Sequence, residues 1–299
     1  MLSENQIKEL LADTSSFLQH VHYFIHDLPP SQGASARGVA INIVDLAEKK
    51  DDFLRELRNT VCSWVYSKSR YKELFDRELK ARGYDAQNAA SQIDNLARSK
   101  FRRGFPQGQF GELLLFNFIQ YFFEAAPILR KMPITSNTAI ERHGSDAIHY
   151  MIKDGKNFIF IGEAKTYKSE YKFNSAFTDA LSSILNAYNE IDNEFTLYVY
   201  DDFIEEPLRN VARALKDGHL ENVRYELVCI LIYEETKSKE SHSEEAIKEK
   251  IEGIVSERLA KADTSSLDGV NPALIDRLHY IVFPFWGLDS MLSDFDDKK

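Results

Sequence analysis

A hairpin signal near the middle of the chain constrains the fold more than any other feature. Asp154-Gly155 separates two apolar runs, residues 146–153 and 156–165. The dipeptide Asp-Gly is strongly preferred in two-residue turns between antiparallel strands. If these two residues form the turn, Lys153 pairs with Lys156, and every earlier residue acquires a fixed partner on the second strand. The sequence therefore predicts a β-hairpin of known register.

This register brings two acidic side chains together. Asp146 falls opposite Glu163 on the same face of the hairpin, with the two Cβ atoms about 4.5–5.5 Å apart. Because side chains alternate along a strand, Lys165 lies on the same face as Glu163. Two facing carboxylates repel each other unless a proton or a cation lies between them. We therefore expect a cation site at the end of this hairpin.

The residue types indicate which cation and which reaction to expect. Mg²⁺ prefers a few carboxylate oxygens plus water and makes a bound water a stronger nucleophile, and Mn²⁺ is an alternative. The ammonium group of Lys165 would orient that water or stabilise negative charge that develops on a phosphate. The pattern predicts metal-dependent hydrolysis of phosphodiesters. An ordinary ion pair between Asp146 and Lys165 is the structural alternative.

The triplet Glu-x-Lys predicts nothing by itself, because it recurs in this chain. One other copy, Glu78-Lys80, lies in a stretch with helical spacing. The copy at Glu163 differs because it ends an apolar strand and has an aspartate opposite it. These two features make it the best catalytic candidate in the sequence.

Strands and helices alternate after residue 105, which predicts an α/β fold with a mixed sheet. Residues 1–104 are predicted to be mainly helical, with strands at 17–25 and 38–44 and helical spacing over 44–66. The stretch 236–262 is rich in lysine and glutamate and is predicted to be a solvated loop and helix. The remaining predicted elements are helices over 109–124, 174–189 and 207–216, and extended segments over 132–141, 146–153, 158–165, 195–200, 224–233 and 278–283.

The charge of the chain is distributed unevenly. The 299 residues carry 37 basic and 47 acidic side chains, a net charge of −10. Residues 192–299 hold 13 basic and 24 acidic side chains, whereas the first 191 residues have a net charge of +1. The total excludes a uniformly basic nucleic-acid binder. Our hypothesis is that the acidic C-terminal part keeps DNA away or meets a basic partner surface.

The cysteine content and the apolar runs indicate the compartment. Two cysteines, Cys62 and Cys229, are too few for a disulfide framework. No apolar run reaches the roughly 20 residues that a membrane-spanning helix needs, and no signal-peptide pattern is evident. We expect a cytoplasmic protein without membrane contact and without a disulfide-linked partner.

The proposed catalytic residues resemble a known superfamily of nucleases. Asp146 and then Glu163-Ala164-Lys165 follow a predicted helix, as in the PD-(D/E)xK restriction-endonuclease-like nucleases, although Ser145 replaces the family's proline before the aspartate. The core of that family runs helix, three strands, helix, strand, and the predicted elements over 109–200 follow this order. The resemblance implies a restriction-endonuclease-like mixed sheet flanked by helices. It also implies that Asp146 and Glu163 bind Mg²⁺ and that Lys165 is the catalytic cation.

The resemblance adds one further candidate, Glu112 on the first predicted core helix. Many members of the superfamily carry an acidic residue there, which assists metal or water binding. Glu112 is therefore a third catalytic and metal-binding candidate. The alternative is a solvated glutamate that the dipole of the helix favours in the first turn.

A closer resemblance extends over most of the chain. The mainly helical N-terminal part, the Gly-Glu helix, the motifs Gly-Ser-Asp and Gly-Glu-Ala-Lys, and the acidic C-terminal region are similar to the HamA family. That family comprises the nuclease subunits of Hachiman anti-phage defence systems, which work with a helicase subunit, HamB. The resemblance implies DNA cleavage that the helicase restrains until infection or DNA damage releases it. It divides the chain into residues 1–104, for partner or DNA contacts, and a nuclease core with an acidic C-terminal extension, residues 105–299.

Basic residues that flank the predicted core are candidates for DNA binding. The densest cluster lies just before the first core helix and consists of Arg98, Lys100, Arg102 and Arg103. Together with Lys168, which follows the hairpin, it would hold DNA phosphates independently of sequence and in a salt-sensitive manner. The alternative is a solvated helix end, where basic residues are common.

Two other functions are compatible with the sequence. A non-catalytic subunit that uses a nuclease-like fold to bind a helicase or DNA would have the same layout. A restriction or repair nuclease that acts alone would need its own specificity element, which the N-terminal part could supply.

Overall fold

A seven-stranded mixed sheet organises the chain in our computed structural model, which describes residues 2–29, 31–101, 104, 106–130, 144–169, 173–198 and 204–297. The strands are β1 Val21–His26, β2 Ser35–Ile41, β3 Ile43–Val44, β4 Ala47–Glu48, β5 Ala126–Leu129, β6 Ala147–Lys153, β7 Lys156–Tyr167, β8 Val223–Glu234 and β9 Leu278–Phe285. The helices are α1 Glu4–Leu10, α2 Ser15–Leu18, α3 Lys50–Asn59, α4 Val61–Val65, α5 Lys68–Ala81, α6 Ala86–Arg98, α7 Pro106–Phe123, α8 Phe173–Tyr198, α9 Arg209–Lys216, α10 Glu244–Ala260, α11 Pro272–Ile275 and α12 Leu288–Asp297.

The sheet has the strand order β1-β2-β9-β8-β7-β6-β5. The four central strands, β2, β9, β8 and β7, are parallel to one another. The three outer pairs are antiparallel, namely β1 with β2, β7 with β6, and β6 with β5. The short strands β3 and β4 form a separate hairpin. The predicted α/β class with a mixed sheet is confirmed. The order α7, β5 to β7, α8, β8 is also the order of helix, three strands, helix and strand expected for a restriction-endonuclease-like core.

The central hairpin has the predicted register. Lys153 pairs with Lys156, and Ala147 pairs with Gly162 at the far end. Asp154 and Gly155 have φ values of 50° and 71°, the left-handed backbone that a type I′ turn requires of both central residues. Because this turn fixes the register locally, the pairing could be predicted from the sequence.

Helices cover both faces of the sheet. α7 packs on one face of β7, and α8 packs on the other. Alternation along the hairpin sends Phe160 into the core beside α7, and it sends Ile159 and Ile161 into the core beside α8. α7 is the most apolar helix and is largely buried between the sheet and the N-terminal helices. In the described ranges, no helix is both long enough and apolar enough to span a bilayer.

Close packing of α7 against the sheet depends on two glycines. A Cβ at Gly162 would lie 2.9 Å from the side chains of Leu115 and Ile119 on α7. A Cβ at Gly111 on α7 would lie 2.8 Å from Thr166 Oγ1 on β7. The helix therefore approaches β7 along the length that carries the candidate catalytic residues.

Of the predicted strands near the central hairpin, one is wrong and one lies outside the described residues. The strand predicted over 195–200 is wrong, because α8 continues through Tyr198 and the strand beside β7 is β8. Apolar runs of this length fit either a strand or a buried helix, and periodicity alone does not separate them. The extended segment predicted over 132–141 lies outside the described residues. The sheet also contains the short strand β5, which the sequence analysis did not identify.

The N-terminal part also differs from its prediction in detail. Residues 15–18 form α2, so β1 begins only at Val21. The stretch 44–66 is not one helix, because Asp45 and Leu46 adopt positive φ in the turn between β3 and β4, and α3 begins at Lys50. The predicted boundary after residue 104 does not coincide with a division of the sheet. β2, from the N-terminal part, is hydrogen-bonded to β9, from the C-terminal part.

The acidic stretch after residue 236 contains more structure than a solvated loop and helix. α10 buries Ile247, Ile251, Val255 and Leu259 against the rest of the protein. One face of this helix is therefore part of the core, and its charged residues lie on the remaining surface.

Candidate active site

Alternation along β7 directs the candidate catalytic side chains toward α8. Gly162 and Ala164 face α7, so Glu163 and Lys165 lie on the opposite face of the strand. In the parallel pair with β8, Glu163 stands beside the buried Cys229. The Glu163 side chain is thus enclosed by the apolar core under α8, and only 4% of the residue is exposed.

Two hydrogen bonds hold Asp146 against the end of β7. Its backbone N–H donates to Gly162 O at 3.0 Å, which continues the hairpin register by one residue. Its Oδ2 accepts a hydrogen bond of 2.8 Å from the backbone N–H of Ala164. The two hydrogen bonds of Asp146 therefore go to the residues immediately before and after Glu163. The structure therefore brings Asp146 and Glu163 together as the hairpin predicts.

Ser183 on α8 connects Lys165 to Glu163. The Lys165 ammonium donates to Ser183 Oγ at 3.1 Å, and Ser183 Oγ donates to Glu163 Oε2 at 2.9 Å. Lys165 Nζ also lies 3.5 Å from Glu163 Oε2. The lysine is thereby held beside the carboxylate pair, with more than a quarter of its side chain exposed. Sequence analysis missed Ser183, because no local pattern reveals which turn of α8 will face β7.

The surroundings of Glu163 raise its pKa to about 7. Burial is the largest cause, because it penalises the charged form, and the negative charge of Asp146 adds to it. Lys165 and the hydrogen bond from Ser183 act in the opposite direction. The carboxylate pair is therefore electrostatically strained without a cation, as expected for a metal site or a shared-proton site.

A second residue of α8 anchors the loop before Asp146. Glu194 Oε2 accepts hydrogen bonds from the backbone N–H and the hydroxyl of Ser145, at 3.0 and 2.8 Å. Gly144 has φ 104°, and a Cβ there would lie 2.8 Å from Glu194 Oε1. The serine that replaces the family's proline therefore has a structural role, since both of its donors bind a buried carboxylate.

The opposite face of the hairpin is closed and apolar. His149 is buried against Phe116 of α7, and its Nδ1 lies 3.0 Å from the backbone oxygen of Ala125. Burial lowers the pKa of His149 to about 3, so the imidazole is neutral. This histidine supports the packing of α7 and is not directed toward the carboxylate pair.

Comparison with known proteins gives the family. The sequence profile of the HamA family matches residues 15–298, nearly the whole chain. The chain belongs to the HamA family. Membership identifies it as a protein of the Hachiman anti-phage defence system. No curated protein gave a significant match.

Glu112, the third carboxylate predicted for this HamA chain, lies on the other side of β7. It follows Gly111 on α7, and its Oε1 points back toward Gly108 in the first turn of the helix. In the described ranges, no group of three or more aspartate, glutamate, histidine or cysteine side chains is arranged to hold a metal ion. The assignment of Glu112 as an accessory ligand stays a prediction.

The donor set at the hairpin suits Mg²⁺ without a third protein ligand. Mg²⁺ is usually held by one or two carboxylates, and water and substrate phosphates complete its coordination. Asp146 and Glu163 supply two carboxylates at one point, where burial and then the charge of Asp146 raise the pKa of Glu163, and a bound cation would favour its ionised form. When bound, the ion would activate water and stabilise charge on a phosphate.

The predicted DNA-binding residues of the HamA chain have different surroundings. Arg98 forms an ion pair with Asp94 at 2.7 Å, and Lys168 forms one with Asp289 at 2.9 Å. Lys100 lines a large cavity beside the sheet. Arg102 and Arg103 lie outside the described residues. A role in DNA binding stays a prediction for all five.

Proposed function

We propose that this HamA protein is a metal-dependent deoxyribonuclease. The observation that carries the proposal is the cluster of Asp146, Glu163 and Lys165 at the end of β6 and β7, where the two carboxylates face each other. A buried Glu163 beside the half-buried Asp146 and the Lys165 ammonium group has no evident role in stability, because Glu163 is held at a raised pKa. Metal-assisted hydrolysis of a phosphodiester uses each of these groups.

Each residue has a distinct role in the proposed reaction. Asp146 and Glu163 would hold Mg²⁺, which when bound would supply an activated water for attack on the phosphate, with cleavage of one P–O ester bond. Lys165, placed by Ser183, stabilises negative charge on the phosphate as that water adds. Glu194 and Ser145 act through Asp146 and are positioning residues, because they fix the loop from which Asp146 projects.

Restraint by the helicase subunit HamB is the second part of the proposal. Membership in a defence system supports it, because an unrestrained deoxyribonuclease would damage the genome of its own cell. The restraint is relieved when infection or DNA damage engages the helicase. Complex formation with HamB is expected to be independent of the catalytic carboxylates.

Cleavage of plasmid and linear DNA with Mg²⁺ tests the enzymatic assignment. The proteins compared are wild type, the double variant Glu163→Gln with Lys165→Met, and a matched control, Glu78→Gln with Lys80→Met. The control removes the same triplet from α5, where Lys80 is exposed. We expect cleavage by wild type and control and a loss of about 10²–10³-fold in the double variant, the effect of removing a group that stabilises charge in the transition state.

The same assay is run with HamA alone and with HamA bound to HamB. Equal cleavage by wild type and the Glu163 and Lys165 variant contradicts the assignment. Phage protection that survives in that variant would favour a non-catalytic subunit that only binds the helicase or DNA. Cleavage that HamB does not reduce contradicts the proposed restraint and leaves the active site intact.

A further inference from the structure

A basic cavity lies between the N-terminal helices and the β5 edge of the sheet. Its volume is about 610 Å³, within the range of sites for nucleotide-sized ligands. Residues from α5, the end of α6, the end of β5 and the start of α9 line it. Its five cationic residues are Arg70, Arg77, Lys100, Arg130 and Arg209.

Arg130 gives this cavity a buried and incompletely satisfied cation. The residue follows β5 and is only 5% exposed. Its guanidinium lies over the ring of Phe116, 5.7 Å from the centroid, and its Nη2 is 3.4 Å from Glu205 Oε2. Nε and Nη1 are buried without a hydrogen-bond partner among the residues that the structure describes. A buried cation with a single carboxylate beside it leaves positive potential at the cavity wall, which an anionic ligand would neutralise.

The charges around the cavity favour an anion. Among the residues that the structure describes, three carboxylates line it, from Glu73, Glu205 and Glu206, against the five cationic residues. Glu73 forms an ion pair with Arg70 at 2.9 Å, and Glu205 lies beside Arg130. The described part of the lining therefore carries a net charge of +2 in a chain whose net charge is −10. A local excess of positive charge in a concave, partly enclosed site concentrates anions.

We propose that this cavity binds the phosphate groups of a nucleotide or of a nucleic-acid strand. Phosphate matches the site because it offers several acceptor oxygens to guanidinium donors. Lys100, which the sequence analysis predicted to hold phosphates, belongs to the lining. The proposal does not depend on phosphodiester cleavage, because the cavity residues are separate from the carboxylate pair.

The position of the cavity indicates how a bound phosphate would relate to the candidate active site. Leu129 pairs with Ile148, so Arg130 lies at the end of the sheet from which β6 begins, the end that also carries Asp146. Arg130 contacts α7, whereas Glu163 faces α8. A ligand in the cavity would therefore lie at the β5 edge of the sheet, near the end of β5 that pairs with the start of β6.

Binding of ATP and of a fluorescent ten-nucleotide oligothymidylate, both in EDTA, tests the proposal. The proteins are full-length wild type, Lys100→Gln with Arg209→Gln, and Arg130→Met, with circular dichroism as a check of folding. The matched control is Lys153→Gln with Lys156→Gln, which removes two exposed charges from the hairpin turn. Affinity is measured by calorimetry for ATP and by fluorescence anisotropy for the oligonucleotide.

We expect the Lys100 and Arg209 variant to bind at least about tenfold more weakly, with less than about a twofold change in the control. Loss of ATP affinity assigns the cavity to a nucleotide, and loss of oligonucleotide affinity alone assigns it to a strand. The proposal is overturned if wild type binds neither probe or if the variant and the control bind equally. Should Arg130→Met fail to fold, the double variant decides the outcome. Because EDTA prevents metal-dependent cleavage, failure here leaves the nuclease assignment untouched.

Discussion

Glu163 shows how a buried carboxyl group, here a proposed metal ligand, can oppose stability. It is buried, faces Asp146, and has its pKa raised to about 7. A folded-state pKa above the unfolded-state value means that the folded protein binds this proton more tightly. The contribution of Glu163 to the free energy of unfolding is therefore largest below about pH 4.5 and decreases as pH rises toward 7. A bound divalent cation would offset this loss of stability, because it favours the ionised form of Glu163.

Replacing the carboxyl group by an amide should stabilise the metal-free protein. We expect Glu163→Gln in EDTA to raise the free energy of unfolding at pH 8 by on the order of 1–3 kcal/mol, because the amide cannot ionise. The difference should vanish near pH 4. Urea unfolding at both pH values measures it, and Glu249→Gln on the exposed side of α10 is the control. An equal or lower stability at pH 8 would show that the carboxylate pair is not strained.

Ser183 provides a second prediction at the scale of one residue. Ser183→Ala removes the hydroxyl that joins Lys165 to Glu163, and DNA cleavage should fall by about tenfold, the effect of one hydrogen bond to a charged group. The neighbouring Ser182 is exposed, so Ser182→Ala should cleave like wild type. Initial rates of Mg²⁺-dependent cleavage compare the two alanine variants. Indistinguishable rates would remove Ser183 from the site.

At the scale of elements, local signals in the sequence predict individual turns and strands well. They do not predict the contacts between elements that are distant in the sequence. The turn at Asp154-Gly155 and the alternation after it are sufficient to place Asp146, Glu163 and Lys165 together. The length of α8 could not be predicted, because its last turns have the apolar pattern of a strand. That additional length supplies Glu194, whose contact with Ser145 spans 49 residues.

The same limit applies to Ser183 and to the cavity around Arg130. Ser183 contacts residues that lie 18 and 20 positions earlier in the chain. The cavity combines residues of α5, α6, β5 and α9, which only the folded chain brings together. Of the cavity residues, the sequence analysis singled out Lys100 alone, from its place in a basic cluster.

The contact between α7 and β7 gives a prediction at this scale. Gly162→Ala would place a Cβ 2.9 Å from Leu115 and Ile119 and should lower the free energy of unfolding by about 1–3 kcal/mol. DNA cleavage should also fall, because the adjacent Glu163 shifts with the strand. Gly253→Ala in α10 meets no atom within 4 Å, and it should raise stability by about 0.5–1 kcal/mol. Chemical denaturation measures the free energy of unfolding of both variants. An equal change in the two variants would contradict the close packing of α7 against β7.

At the scale of the whole molecule, the acidic third of the chain is part of the fold and not an appendage. β9 lies between β2 and β8 in the sheet, so truncation after residue 236 would remove a central strand. Several acidic residues of this region bind basic partners within the chain, such as Glu235 with Arg258 at 2.8 Å. The hypothesis that acidic residues keep DNA away must therefore be tested by substitutions on the surface.

The exposed side of α10 offers that test. Glu245 and Glu249 are exposed, and changing both to lysine should leave the melting temperature within about 2 °C of wild type. If the acidic surface repels DNA, the double lysine variant should bind DNA more tightly, and the gain should disappear at high salt. Fluorescence anisotropy at two salt concentrations measures this. Unchanged affinity would show that α10 does not exclude DNA.

The claim that the carboxylate pair is a divalent-metal site is tested most directly by counting bound Mn²⁺. We expect electron paramagnetic resonance titration to show tight Mn²⁺ binding by wild type and by Glu78→Gln, and loss of that binding in Asp146→Asn and in Glu163→Gln. The same titration of Glu112→Gln shows whether the third carboxylate contributes. Equal Mn²⁺ binding by wild type and Asp146→Asn would contradict the account.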